Sequence, residues 1–177
     1  MKIYGYGLFS AFWILFCFIY TKIFFRPAKI IRLPIFIRNY GSFEFGKSFT
    51  TGVFNRIDIF KKGTLVVGDR VQINDNCHIA CAQRIVIGDD VLIASRVFIS
   101  DHDHKIGPLN SNLADTGLET SSISIGDFSW LGENVVVLKG VEIGKNVIVG
   151  ANAVVTSSVP DNAIVAGVPA KIIRYRK

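Results

Sequence analysis

Written in sixes, Ile125–Pro160 reads IGDFSW LGENVV VLKGVE IGKNVI VGANAV VTSSVP. The first place of each unit is Ile125, Leu131, Val137, Ile143, Val149 and Val155, aliphatic every time. The fifth place holds Ser129, Val135, Val141, Val147, Ala153 and Val159, small or β-branched throughout, and the second is glycine in four of the six units. A period of six cannot keep one side of a 3.6-residue helix buried, but places one and five share parity and point to one side of an extended chain. The units are therefore short strands. Three of them closing one triangular turn would stack each strand in parallel on its counterpart eighteen residues later, with aliphatic side chains filling the prism. The corners fall at GDR (68–70), NDN (74–76), GDD (88–90), GEN (132–134) and GKN (144–146), built from residue types that accept positive φ.

The same frame extends upstream as VGDRVQ INDNCH IACAQR and, after a two-residue insertion, IGDDVL IASRVF ISDHDH, so the repeat covers Val67 to Pro160. Ahead of it, FGKSFT TGVFNR IDIF resembles a degenerate first coil. The expected fold is all-β, a parallel β-solenoid over residues 41–177. Residues 1–40 are expected to form an apolar N-terminal helix and a basic connector.

Gly41–Ser48, GSFEFGKS, matches the phosphate-loop pattern G-x-x-x-x-G-K-[ST]. That pattern cradles phosphate only between a strand and a helix. Here SFEFGKSF alternates as a strand does, no amphipathic helix follows Ser48, and Phe43 and Phe45 would stand where phosphate oxygens belong. The stretch reads as a strand, with Lys47 a surface charge.

A 177-residue chain that is half hydrophobic makes one domain with a full core. The three cysteines, Cys17, Cys77 and Cys81, include no C-x-x-C pair, which suggests neither a disulfide framework nor a zinc knuckle and fits a reducing compartment. The net charge of +6 gathers beside the apolar start, at Lys2, Lys22, Arg26, Lys29, Arg32 and Arg38. Nucleic acid is not expected as a partner. Ile3 to Thr21 carries no charge over nineteen residues and is followed by basic residues, as in a membrane anchor whose chain stays on the cytoplasmic side. The alternative is a helix packed on the domain or on a neighbouring subunit. Residues 1–38 are the expected membrane contact.

The repeat breaks after Ile99, in ISDHDHKIGPLNSNLADTGLETSSIS. Charged Asp103 takes the buried fifth place, and a polar loop at about 102–122 follows before the solenoid resumes. Loops this long inside a compact repeat are usually functional. This one begins with His102 and His104, two apart and interleaved with Asp101 and Asp103. That composition suits a general base, an imidazole oriented by a carboxylate; the plain alternative is a solvated polar turn.

IGDDVLIASRVFISDHDH, IGDFSWLGENVVVLKGVEIGKNVIVGANAVV and VPDNAIVAGVPAKIIR together resemble the hexapeptide-repeat acyltransferases, in particular the O-acetyltransferases of bacterial O-antigen and capsular polysaccharide. The similarity covers about Lys29 to Arg174. It implies a left-handed solenoid, a homotrimer, and acetyl-CoA lying between adjacent subunits, with no metal expected. Carried over by position, His104 is the catalytic base and His102 the second candidate. Asn74 falls at an acceptor-side asparagine, Asp101 and Asp103 at the acceptor side as orienters, and Trp130 at an aromatic lining the cleft. Ala151, Thr156 and Lys171 match positions that contact coenzyme A, and Arg174, Lys139 and Lys145 are further candidates for its phosphates. The implied acceptor is a sugar or polysaccharide, the implied location the inner face of the bacterial cytoplasmic membrane. Alternatives are N-acetyl transfer to an amino-sugar nucleotide or to an antibiotic. More remote are a γ-type carbonic anhydrase using His78, His102 and His104, and a solenoid without catalysis.

Overall fold

The computed structural model describes residues 7–177, apart from the side chain of Leu8. It is a parallel β-solenoid with one helix, α1 (Leu8–Phe24), at its N-terminal end. Three faces wind around one core. The first face stacks Ile30–Ile31, Thr50–Thr51, Gln72–Ile73, Leu92–Ile93, Trp130–Leu131, Ile148–Val149 and Ala163–Ala166, and ends on Lys171–Tyr175, which turns back antiparallel. The second face runs from Ile35–Asn39 through Asn55–Ile59, His78–Cys81, Phe98–Ser100 and Val136–Val137 to Val154–Val155. The third carries Ser42–Phe45, Thr64–Val67, Arg84–Ile87, Ile123–Ile125 and Glu142–Ile143.

Trp130 pairs with Ile148 and Val136 with Val154, each eighteen residues on, which is three hexads. Every first-place and fifth-place residue between Ile125 and Val159 is buried, because strand parity turns both inward. The hydroxyl of buried Ser129, the one polar member of that set, donates to Gly144 O at 2.9 Å. Upstream the coils are longer: Gln72 pairs with Leu92, twenty residues on, which absorbs the two-residue insertion. Thr50 pairs with Gln72, twenty-two residues on. The ladders start at Ile30, inside the stretch read above as connector.

The corners meet the expectation through their Asn and Asp residues and depart from it at their glycines. Positive φ falls on the third residue of each corner triplet, Asn76, Asp90, Asn134 and Asn146 together with Arg70, and not on the glycine that opens four of the five. The glycines serve close stacking: a Cβ at Gly68 or Gly88 would overlap the Asp89 or Asp127 carboxylate of the next coil. Those aspartates bond across coils. Asp69 Oδ1 accepts from Lys47 N at 2.7 Å, Asp89 Oδ1 from Asp69 N at 2.8 Å, and Asp127 Oδ1 from Asp89 N at 3.0 Å. Gly41–Ser48 is thus a strand and corner whose Lys47 N–H is bonded to Asp69, with no helix after it.

Helix α1 lies along the first strand. Its sheltered stripe, Ser10, Ile14, Cys17 and Thr21, follows the i, i+4, i+7, i+11 spacing of one helix side. Thr21 and Cys17 are fully buried and serve the edge strand: Ile31 N donates to Thr21 Oγ1 at 2.8 Å and Leu33 N to Cys17 Sγ at 3.4 Å. The edge of the first face is closed by side chains where a further coil would otherwise pair. Part of the uncharged run, Ile3–Tyr6, lies outside the described residues, and among the described residues no helix is long and apolar enough to cross a membrane.

Candidate active site

The long loop leaves the solenoid at the corner between the second and third faces, after Phe98–Ser100. It is an arm: His102–His104 pairs antiparallel with Leu118–Thr120, His102 opposite Thr120 and His104 opposite Leu118. The root closes where Ser121 N donates to Asp101 O at 2.9 Å.

Asp101 is wholly buried at that root. Its Oδ1 accepts from Ala82 N at 2.7 Å, and its Oδ2 accepts from Gln83 N and Arg84 N at 2.8 Å each, so the carboxylate fixes the corner of the preceding coil. The same Oδ1 lies 3.1 Å from His102 Nδ1. A carboxylate without a proton only accepts, so His102 Nδ1 is the donor in this contact. The ring of His102 also stands edge-on to Phe60, with centroids 5.0 Å apart, and its side chain is only 13 % exposed. Burial and the neighbouring Asp101 charge push the Cys81 thiol up to about 12, which keeps it a protonated packing group.

His104 is exposed, two residues further along the same strand of the arm. Asp103 does not orient it, because that carboxylate and Glu119 are each 3.0 Å from Lys139 Nζ. The two carboxylates, Glu119 first, raise the Lys139 amine above its ordinary pKa, so Lys139 is a cation committed to the arm. Lys145 is likewise paired, 2.9 Å from Asp127. Both candidate phosphate-binding lysines are thus ion-paired within the chain. Lys171 and Arg174 are exposed on the last strand and join no ion pair among the described residues.

One chain brings together Asp101, His102, Asp103, His104, Lys139 and Phe60. Thr156 lies at the same corner two coils further on, and Ala151 at the corner between the first and second faces. Trp130 and Asn74 stand elsewhere. Trp130 is 46 % exposed on the first face, in the ladder between Leu92 and Ile148. Asn74 is exposed at the corner between the first and second faces, in a groove of about 430 Å³ lined also by Phe9, Trp13, Ile14 and Arg32. Phe60 and the Lys139–Glu119 contact were not identified from sequence, because both are neighbours across coils. His78 faces Asp58 on the second face at 3.1 Å, away from the arm, and no group of three metal-ligating side chains gathers among the described residues.

The family model of the bacterial transferase hexapeptide (six repeats) matches residues 122–157. The chain is 50 % identical over 161 residues to an Escherichia coli (strain K12) protein, "Putative lipopolysaccharide biosynthesis O-acetyl transferase WbbJ", covering 87 % of this chain and 82 % of that one. It is also similar to the hexapeptide-repeat acetyltransferase VCA0836 of Vibrio cholerae, solved with acetyl coenzyme A. There the TM-score is 0.56 and the identity 32 %, over 75 % of this chain and 67 % of that one. A variant of AntD, an N-acyltransferase from Bacillus cereus solved with an amino-sugar nucleotide and coenzyme A, shares the fold at TM-score 0.73 and 24 % identity, over 85 % of this chain and 83 % of that one. The repeat, the solenoid and half-identity across most of both chains place the protein in the bacterial hexapeptide-repeat transferase family, among its acetyltransferases.

Proposed function

We propose that the protein transfers acetyl from acetyl-CoA to a sugar hydroxyl of a bacterial surface polysaccharide, O-antigen or capsule, or of its lipid-linked precursor. The observation that carries this reading is the arm, which roots two histidines on a buried aspartate at the one long break in the repeat. The 50 % identity to WbbJ supports the acceptor class. His104, the exposed imidazole, acts as general base. It takes the proton of the acceptor hydroxyl as that oxygen bonds to the thioester carbonyl carbon. The C–S bond then breaks, and the imidazolium returns the proton to the coenzyme A thiolate. His102, held by Asp101 and Phe60, and Asp103, held by Lys139, fix the strand that carries the base.

Trp130 and Asn74 lie on other faces of the same chain, so the reading takes the active unit to be a homotrimer. The arm of one subunit meets Trp130, Ala151, Lys171 and Arg174 of its neighbour, and coenzyme A lies between them. Asn74 contributes to the acceptor side. The trimer acts in the cytoplasm at the inner membrane face, which it contacts through residues 1–38.

The test is a thiol-release assay with acetyl-CoA and an acceptor sugar on two variants. His104→Ala should lower kcat by roughly 100-fold or more with unchanged melting temperature, as loss of a general base does. His102→Ala should lower the melting temperature as well as the rate. If His102→Ala alone abolishes turnover while His104→Ala leaves it intact, the base is His102 and this assignment fails.

A further inference from the structure

Helix α1 packs by the narrow stripe described above, yet most of its surface is apolar and uncovered. Phe9, Phe12, Phe16, Ile19, Ile23 and Phe24 are all at least half exposed, Phe9 at 83 %. Phe36 and Tyr40 of the first coil are exposed as well. Contiguous exposed apolar surface of this kind marks a binding face.

Charge says what binds there. The first acidic residue of the chain is Glu44, whereas residues 1–43 hold six basic ones, a local charge of +6 that equals the charge of the whole molecule. Residues 44–177 are therefore neutral, with 14 basic and 14 acidic residues. Among the described residues Lys22, Arg26, Lys29 and Arg32 join no ion pair; Lys22 Nζ and Arg26 Nε donate only to backbone carbonyls, at 2.9 Å each. A second copy of this end would set the same positive field against itself. An anionic lipid surface would complement it.

The attitude of the helix follows from its packing. Seventeen residues at 1.5 Å each span about 26 Å, short of the roughly 30 Å of a hydrocarbon core. Moreover, Thr21 and Cys17 cannot leave the edge strand without stripping Ile31 N and Leu33 N of their acceptors. We infer that α1 lies flat in the interface of an anionic bilayer, with the N-terminal end of the solenoid turned toward the lipid. The buried stripe closes the fold, the apolar remainder enters the acyl boundary, and Lys22, Arg26, Lys29 and Arg32 meet the headgroups. This deepens the membrane contact proposed above, and its test uses lipid alone, so it succeeds or fails independently of acetyl transfer.

The experiment sediments the full chain with large unilamellar vesicles of phosphatidylcholine, with and without about 30 % phosphatidylglycerol, a composition chosen to give a negative surface. Binding is expected to the anionic vesicles, to weaken as salt rises, and to drop on the order of fivefold for each charge removed in Arg26→Gln and Lys29→Gln. Phe12→Ser with Phe16→Ser should abolish binding while keeping the melting temperature, since neither side chain is in the buried stripe. Trp13 fluorescence, read in a Trp130→Phe background, should be quenched by bromines near the glycerol backbone more than by those deep in the chains. Equal, salt-insensitive binding to neutral and anionic vesicles would overturn the proposal. So would deep quenching, which means spanning, or absence of vesicle binding together with concentration-dependent self-association that Phe12→Ser removes, which makes a second copy the occupant.

Discussion

Asp101→Asn is the sharpest perturbation of the arm root, since it keeps the shape and removes the charge. In the native protein three backbone N–H groups, of Ala82, Gln83 and Arg84, donate to this fully buried carboxylate at 2.7–2.8 Å. Bonds to a charged acceptor contribute about 1.5–3 kcal/mol each, against about 0.5–1.5 for neutral ones. Asparagine retains one acceptor oxygen. Its amide group would face at least one N–H donor, leaving a buried donor unpaired at a further cost of about 1–3 kcal/mol. Relaxation offsets part of this, and the expected net loss is about 3–5 kcal/mol, the range seen when one partner of a buried charged pair is removed. For a chain of this size each kcal/mol moves the melting temperature by about 2–4 °C, so a fall of roughly 6–20 °C should appear in a thermal melt followed by circular dichroism. His102 Nδ1 loses its charged partner at the same time, and turnover should fall even well below the new melting temperature. Asp103→Asn, altering an exposed carboxylate, should leave the melt nearly unchanged. A fall of less than about 2 °C in Asp101→Asn would refute the claim that this carboxylate holds the corner and the arm together.

Lys139→Met removes the cation that holds Asp103 and Glu119, so the arm should become more mobile. Amide exchange across residues 102–120 is expected to quicken several-fold and KM for the acceptor to rise more than kcat falls; unchanged exchange would show that the contact does not restrain the arm. Burial pushes the Cys77 thiol up to about 11 and Cys81 up to about 12. Because those folded-state values lie above the ordinary 9.0, both thiols favour the fold below pH 9, and that contribution is lost as pH rises toward 12. At pH 8 a thiol reagent should leave all three cysteines of the native chain untouched and titrate three after denaturation, and rapid native labelling would contradict their burial.

The core of the later coils was legible because the inward places from Ile125 to Val159 are filled by aliphatic or small side chains at a fixed period, with Ser129 the one polar member. The coil holding Ile30–Phe45 was harder to read. Its longer strands stretch the repeat beyond eighteen residues, so Ile35, Ile37, Phe43 and Phe45 fall out of the six-residue frame although all four pack on the core. The corner glycines were assigned the wrong task, since sequence shows that a glycine is present but not whether its freedom or its lack of a side chain is used. The histidines were found from the break in the periodicity, with Asp101 named beside them as an orienter. The other contacts of Asp101 and Asp103 were not, because Asp101 meets Ala82 and Lys139 meets Asp103 through stacking of coils and the register of the arm, neither of which is encoded in local spacing.

The arm leaves the second face at its fourth strand, three steps above Ile35–Asn39. Strands in a sheet repeat at about 4.8 Å, so the solenoid is a ruler that sets the histidines about 14 Å above its first coil. If that coil rests on lipid, the stand-off is comparable to the length of a few sugar rings, and acetylation would be confined to residues at a set distance along a tethered glycan. Duplicating one eighteen-residue coil between Trp130 and Ile148 would leave that height unchanged, whereas inserting one below Leu92 would raise it by a single step. Site of modification along the glycan would then be encoded in the number of coils beneath the arm, a quantity that evolution can alter by whole units without touching the chemistry.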